Sequence, residues 1–563
     1  MALISLQPDE IIRKILEVRG IVSEEDVREF LSCKPQLVHD PMLMPGMKDG
    51  AEFLLRALSD GKHICIYGDY DVDGVLGTAM FVSFLREAAR LLDSSSDITF
   101  YIPSRIDEGY GLNEGAIRAI KDGGADAIVT VDCGSVSAAE AAYARDIGLD
   151  ILITDHHDPD PEKLPDCILI NPKLQPQDDC RLSEDTGYPF KKLAGAGVAF
   201  KLCGALLTLM NEEKRSVLSE MIDLLCVATI ADVMPLVDEN RTFVKYGLLK
   251  LRKGARPAFD ALLAVSGSEA AKLTSRDVAF VISPRLNALG RLGDASEAVE
   301  FFLTDNEDKI NKIALRMDKL NTERRKIQDE CYRECMELVG EETNFLLLKP
   351  VNSHEGVAGI VAGKVREATG LPCAVLTETQ DNTGLLKGSV RSAGRLDIIS
   401  LLREHSGLFE RLGGHAAAAG FTITLEHEDA LREVLSSDIG KMLEAEPDLL
   451  SDKEEAELEI DAGDVTISLA EAIEELAPFG AGNPKPALSL SVPADRITDV
   501  RTMGQDGSHL RFIADGVPCI FFGGAHTRFT GTGIVKIVGC PEINIWNDNR
   551  NIQFAVRHID VLR

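Results

Sequence analysis

Three short apolar runs in the first third of the chain each end abruptly in acidic or imidazole side chains. HICIY runs into Gly68-Asp69-Tyr70-Asp71-Val72-Asp73-Gly74, DAIVTV into Asp132, and DILIT into Asp155-His156-His157. The segments GTAMFVSFLREAARLL and SAAEAAYARDIG between them carry apolar residues at helical spacing. This alternation predicts an α/β fold in which helices cover a parallel sheet. In such sheets ligands sit at the carboxyl ends of the strands, where the Asp and His residues fall. A fourth apolar run, DLLCVATIADVMPL, is read the same way and delivers Asp232.

Asp69, Asp71 and Asp73 occupy alternate positions, and Gly74 permits a backbone path that a β-carbon would obstruct. Hard carboxylate oxygens with one or two imidazoles suit Mn²⁺ or Mg²⁺ better than a thiolate-seeking metal. Two such ions need a bridging carboxylate, activate water and stabilise a phosphoryl transition state. A single Asp after a strand is usually a cap or turn residue. Four such segments in order are a different matter. An EF-hand is excluded because no Glu follows Asp69–Asp73 at the required loop position.

Residues 1–48 read as small helices and 49–275 as the first α/β domain, while 276–340 reads as a helical connector ending in a long charged helix. Residues 341–442 read as a second α/β domain. An acidic stretch (EAEPDLLSDKEEAELE) leads into 457–563, whose short strands and turn signals suggest a small β-barrel. The run GGHAAAAG is read as a glycine turn starting a helix behind a phosphate. No apolar run approaches the roughly 18–20 residues that cross a bilayer. The 12 cysteines have no Cys-x-x-Cys pair, which points to reduced thiols in a cytoplasmic protein.

Charge argues against a broad nucleic-acid surface. Lys and Arg total 60 against 91 Asp and Glu, a net charge of −31. Any polyanion must be held by a local basic groove and by metal ions. Arg105, Arg285, Arg291 and the Ser389-Val390-Arg391 segment fall in Gly-rich or loop-like motifs and are candidates for that groove.

The motifs GDYDVDG, VTVDCG, TDHH and IADVMPL resemble, in order, the four phosphoesterase motifs of the DHH superfamily. Further segments are similar to RecJ-type single-strand exonucleases: IPSRIDEGYGLN, INPK, SPRLNALGRLGDA, LNTERR, HEGVAGIVAGKV, KGSVRSAGR, RLGGHAAAAG and PFGAGNPKP. The resemblance implies a DHH phosphoesterase domain, a DHH-associated domain and an OB-like barrel. It implies a 5′-to-3′ exonuclease of single-stranded DNA acting in repair and recombination, with two divalent cations, Mn²⁺ or Mg²⁺. By that resemblance Asp71 binds one metal, Asp73 the other, and Asp132 bridges them. His156 and Asp232 complete the second site, and His157 contacts the scissile phosphate or protonates the leaving oxygen. Asp69 is a ligand or an outer acceptor. Arg291, Ser389, Arg391, Gly414 and His415 match the DNA groove, Arg105 the 5′-phosphate contact, and His354 a substrate contact or a core histidine. Tyr67 stands where small phosphoesterases often carry His. The implied partners are single-stranded DNA, a helicase and a single-strand binding protein, with the chain a monomer away from membranes. The alternative is a DHH phosphodiesterase of short oligonucleotides or cyclic dinucleotides.

Overall fold

The computed structural model describes residues 7–562 except 106, 176–186, 213, 255, 341–343, 380–383, 452–454, 505–506, 530–532 and 547–548. The first sheet has five parallel strands: β1 (Ile64–Tyr67), β2 (Ile98–Tyr101), β3 (Ala127–Thr130), β4 (Asp150–Thr154) and β5 (Ile168–Ile170). Their order is β2-β1-β3-β4-β5. Alternate residues serve two cores. Ile64 and Ile66 pack with the helices Val72–Leu91 and Gly195–Leu209, whereas Cys65 and Tyr67 pack with residues of the helices Glu114–Asp122 and Ala138–Asp146. The chain leaves β1 for β2 on one side and then crosses to β3 on the other. The carboxyl ends of β1 and β3 therefore flank the switch point where open α/β sheets bind ligands.

Asp232 does not follow a strand. Ile222–Ala231 is an α-helix and Asp232 is its C-terminal cap. The run is apolar all round, so periodicity could not tell a buried helix from a buried strand. Packing against the helices Val72–Leu91 and Asp238–Leu251 decides it.

The 32-residue helix Glu307–Leu338 spans about 48 Å at 1.5 Å per residue. It packs on the helix Ser283–Leu292 of the first lobe and on the helix Glu355–Thr369 of the second. The second lobe is built on β6 (Leu346–Leu348), β7 (Cys373–Glu378), β8 (Leu385–Arg391), β9 (Arg411–His415) and β10 (Ala418–Thr424), in the order β6-β7-β8-β10-β9. The run GGHAAAAG is thus a hairpin, not a helix start. Ala416 and Ala417 link β9 to β10, with His415 opposite Ala418. Pairing of β10 with β8 on its other edge overrides the helical preference of the alanines.

The C-terminal region is a seven-stranded mixed sheet, from β11 (Leu458–Glu459) and β12 (Leu488–Pro493) to β16 (Ile534–Trp546) and β17 (Asn549–Leu562). Phe512 and Phe554 are core residues there, fully buried. The first helix, Pro8–Val18, buries Ile11, Ile12, Ile15 and Leu16 in this same core. Arg19 then pairs with Glu457 at 2.7 Å.

Arg241 ties this assembly to the first lobe. Its guanidinium lies 3.8 Å from the Phe30 ring centroid and donates to the carbonyls of Phe30 (2.9 Å) and Ala477 (3.0 Å). Arg241→Ala orphans those carbonyls and opens a void, so a loss of roughly 2–4 kcal/mol is expected. Thermal unfolding checks it: a melting temperature unchanged by the substitution contradicts the clamp. Among the described residues no helix is long and apolar enough to cross a membrane.

Candidate active site

Asp71 caps the helix Val72–Leu91, accepting from Gly74 N at 3.0 Å. A β-carbon at Gly74 would lie 2.5 Å from Asp69 N, so the turn requires glycine. Asp73, in the first turn, is buried and accepts from two N–H groups at the start of the helix Gly195–Leu209: Gly195 N at 2.6 Å and Ala196 N at 3.0 Å. Asp132 follows β3 in a left-handed backbone conformation (φ +69°). His156 Nε2 lies 3.1 Å from Asp132 Oδ1 and 3.5 Å from Asp232 Oδ2.

The ligand atoms fall into overlapping groups, each within 4.8 Å: Asp69, Asp71 and Asp132; Asp73, His156 and Asp232; and Asp132 with both histidines. Asp132 is shared between groups, and Asp69, left open by the sequence, joins Asp71. Tyr67 takes no part. Its hydroxyl donates to Gly111 O at 2.9 Å and its ring stacks on Tyr101.

The donor set fits divalent cations. Asp69 Oδ1, Asp132 Oδ1 and Asp232 Oδ2 are buried without a hydrogen-bond partner among the described residues. Each such atom costs about 1–3 kcal/mol unless something else satisfies it. Burial, then repulsion from neighbouring carboxylates, pushes Asp69, Asp132 and Asp232 well up and Asp73 to about 7. Burial and the charge of His157 lower His156 to about 3, leaving it in the neutral form a metal requires.

A pH dependence follows. In chelator the unfolded chain gives up these protons near pH 4, whereas folded Asp73 keeps its proton to about pH 7. Between those values the apo fold loses stability as pH rises, because the unfolded state sheds protons first. Divalent cations supply the missing counter-charge. The gain in melting temperature on adding Mn²⁺ should therefore be larger at pH 7.5 than at pH 5.5. An equal gain at both contradicts the coupling.

His157 is held from behind. Its Nδ1 lies 2.8 Å from Asp155 Oδ1, and Asp155 also accepts from the backbone N–H groups of Ser135, His156 and His157. Burial opposes ionisation of Asp155, but the bond from His157, the charge of both histidines and the Ser135 N–H outweigh it and hold the carboxyl below its usual range. Asn171 Nδ2 donates to His157 O and to Ser135 Oγ, each at 2.8 Å. Asp155, Ser135 and Asn171 were given no role from sequence. Asp155 had one legible signal, its place at the head of the Asp-His-His run.

Arg105, Arg291 and Arg391 converge beside this centre. Arg105 lies 5.0 Å from the Tyr70 ring centroid. Arg291 donates to Gly356 O at 2.6 Å, across the lobes. Burial, then repulsion from Arg105, Arg324 and Arg391, lowers Arg291 to about 9. Among the described residues none of Arg105, Arg291 and Arg391 forms an ion pair with a carboxylate, in a chain of net charge −31. Lys387, Ser389 and Arg391 share one face of β8, while Leu386 and Val390 enter the core. A cavity of about 400 Å³ separates Arg105 and Tyr110 of the first lobe from Ser389 and Arg411 of the second. His415, next to Gly414, stacks on His157 with centroids 6.4 Å apart.

Two further candidates are engaged in contacts within the fold. Arg285 is spent on Asp318 (2.9 Å) and Val281 O (2.8 Å). His354 caps the helix Glu355–Thr369, accepting from Gly356 N at 2.9 Å.

Family models agree with this layout: the DHH family N-terminal domain matches residues 63–229, the DHHA1 domain 342–441 and the RecJ OB domain 456–558. The single-stranded-DNA-specific exonuclease RecJ of Bacillus subtilis is 34% identical over 97% of this chain and 67% of its own length. The chain belongs to the RecJ family. RecJ of Escherichia coli is 30% identical over 98% of this chain and 95% of its own. The structure of Thermus thermophilus RecJ with Mn²⁺ covers 100% of this chain and 79% of that one, with TM-score 0.80 and 27% identity. The same RecJ is also known with Mg²⁺ (TM-score 0.72), the two cations to which the donor set points.

Proposed function

We propose that this chain is a metal-dependent exonuclease that hydrolyses single-stranded DNA from its 5′ end and releases mononucleotides. The observation that carries the reading is a ligand group of Asp69, Asp71 and Asp132 beside one of Asp73, His156 and Asp232, with Asp132 Oδ1 3.1 Å from His156 Nε2 and, next to them, arginines that form no ion pair with a carboxylate among the described residues. Asp69, Asp71 and Asp132 hold one cation, and Asp73, His156 and Asp232 the other, with Asp132 between them. When bound, the pair supplies an activated water and stabilises charge on the phosphoryl oxygens.

The remaining steps belong to the chain's own side chains. Arg105, Arg291, Ser389 and Arg391 take the terminal phosphate, since guanidinium forks match its oxygens. Gly414 and His415 contact the strand from the second lobe, opposite His157. His157 gives its proton to the leaving oxygen through Nε2, as Nδ1 is engaged by Asp155. A cleft closed by both lobes admits one strand and excludes duplex. The family's usual setting, a cytoplasmic monomer working behind a helicase and a single-strand binding protein in repair and recombination, completes the proposal.

The test compares 5′- and 3′-labelled single strands and duplex, with Mn²⁺ and with chelator. Labelled mononucleotide should appear at once from the 5′ end of single strands only, and only with the metal. Mononucleotides released first from the 3′ end overturn the polarity.

A further inference from the structure

The loop between β2 and the helix Glu114–Asp122 brings two side chains to the cleft, Arg105 and Tyr110. Only Arg105 has a role so far. The loop is braced without help from Tyr110. Tyr101 donates to Glu108 Oε1 (2.8 Å), Ser104 N to Glu108 Oε2 (2.7 Å) and Tyr67 to Gly111 O (2.9 Å). Tyr110 remains 49% exposed, so burial does not explain its place.

Its hydroxyl lies 2.9 Å from His157 Nδ1 and 3.3 Å from Asp132 O. The proton positions follow from Asp155. Three backbone N–H groups converge on this carboxylate, so it is ionised and His157 Nδ1 must present a hydrogen to it. The Tyr110 oxygen then shares that Nδ1–H as an acceptor, and its own proton goes to the Asp132 carbonyl. The imidazole is gripped from two directions, with the Tyr110 ring edge-on at 5.3 Å between centroids. Nε2 is the nitrogen left to meet substrate.

We propose that Tyr110 is a positioning residue for His157, its hydroxyl fixing the tilt and tautomer of the imidazole that protonates the leaving oxygen. The inference rests on the reading of His157 as the proton donor, and the test separates the two. Tyr110→Phe keeps the ring and removes only the hydroxyl. Losses on removing such an outer hydrogen bond run roughly 10–100-fold. The full chain with Mn²⁺ and a 5′-phosphorylated single strand should show a kcat loss of that order, with KM and Mn²⁺ affinity by calorimetry unchanged. If the hydroxyl acts through His157, adding Tyr110→Phe to His157→Ala should lower kcat no further. An unaltered kcat, a loss carried by KM or by weaker Mn²⁺ binding, or a further fall in the His157→Ala background overturns the proposal. Should His157→Ala alone retain the parent's kcat, the proton-donor reading fails and the role of Tyr110 with it.

Discussion

Asp132→Asn is expected to lower metal-dependent hydrolysis at least about a thousand-fold, on the order of 4 kcal/mol of barrier, while leaving the chain folded. Among the described residues Asp132 is the one carboxylate grouped both with Asp69 and Asp71 and with His156. Losing its charge therefore weakens both cation positions together. Asparagine suits the test because it tolerates the left-handed backbone at φ +69°. Alanine would add roughly 1–2 kcal/mol of backbone strain and blur the result. Stability should move the other way. Repulsion from Asp73, Asp71, Asp232 and Asp69 already penalises a charge on Asp132, so the neutral amide should raise the melting temperature in chelator. Activity on a single strand and thermal unfolding, measured on one preparation, check both signs.

Gly195→Ala is the second large effect, and ordinary helix propensity points the opposite way. Alanine favours a helix interior over glycine by about 1 kcal/mol. Here a β-carbon would lie 2.5 Å from Asp132 Cβ and 2.6 Å from its Oδ1. The helix Gly195–Leu209 must retreat, drawing its first N–H groups from Asp73, or Asp132 must turn from the ligand groups. Displacement of about 1 Å at a reacting centre costs on the order of a hundred-fold. A loss of kcat of that size, with Mn²⁺ affinity reduced, is the expected result. Parent-like activity would mean that the helix start is not packed on the Asp73–Asp132 pair.

Much of this cluster is legible in the sequence. Asp69, Asp71, Asp73, Asp132 and His156 stand directly after apolar runs, and a parallel sheet with its strand ends together brings them to one point. Asp232 was legible as a candidate of the cluster but not as a helix cap, because a ten-residue run buried on nearly all sides carries no period that separates a buried helix from a strand. The GGHAAAAG hairpin was hidden for a related reason: its state depends on β8, more than twenty residues earlier. Least legible were contacts between distant segments, such as Pro8–Val18 in the C-terminal core and the burial of Arg241 against Phe30 and Ala477. Tyr110 and Asn171 belong to the same class, since their roles arise where separate loops meet His157.

The acidic composition is compatible with a confined strand-binding groove. The carboxylates grouped at the strand ends are placed to take divalent cations, and among the described residues Arg105, Arg291 and Arg391 form no ion pair with a carboxylate. A strand would then be held at one confined groove, with salt weakening it through those few contacts.

Counting bound Mn²⁺ per folded chain by calorimetric titration, in the parent and in Asp132→Asn, tests the shared-carboxylate centre most directly. The account predicts two Mn²⁺ per parent chain and a loss of affinity at both positions in the variant. A single Mn²⁺ in the parent, or two bound with undiminished affinity in the variant, would contradict it.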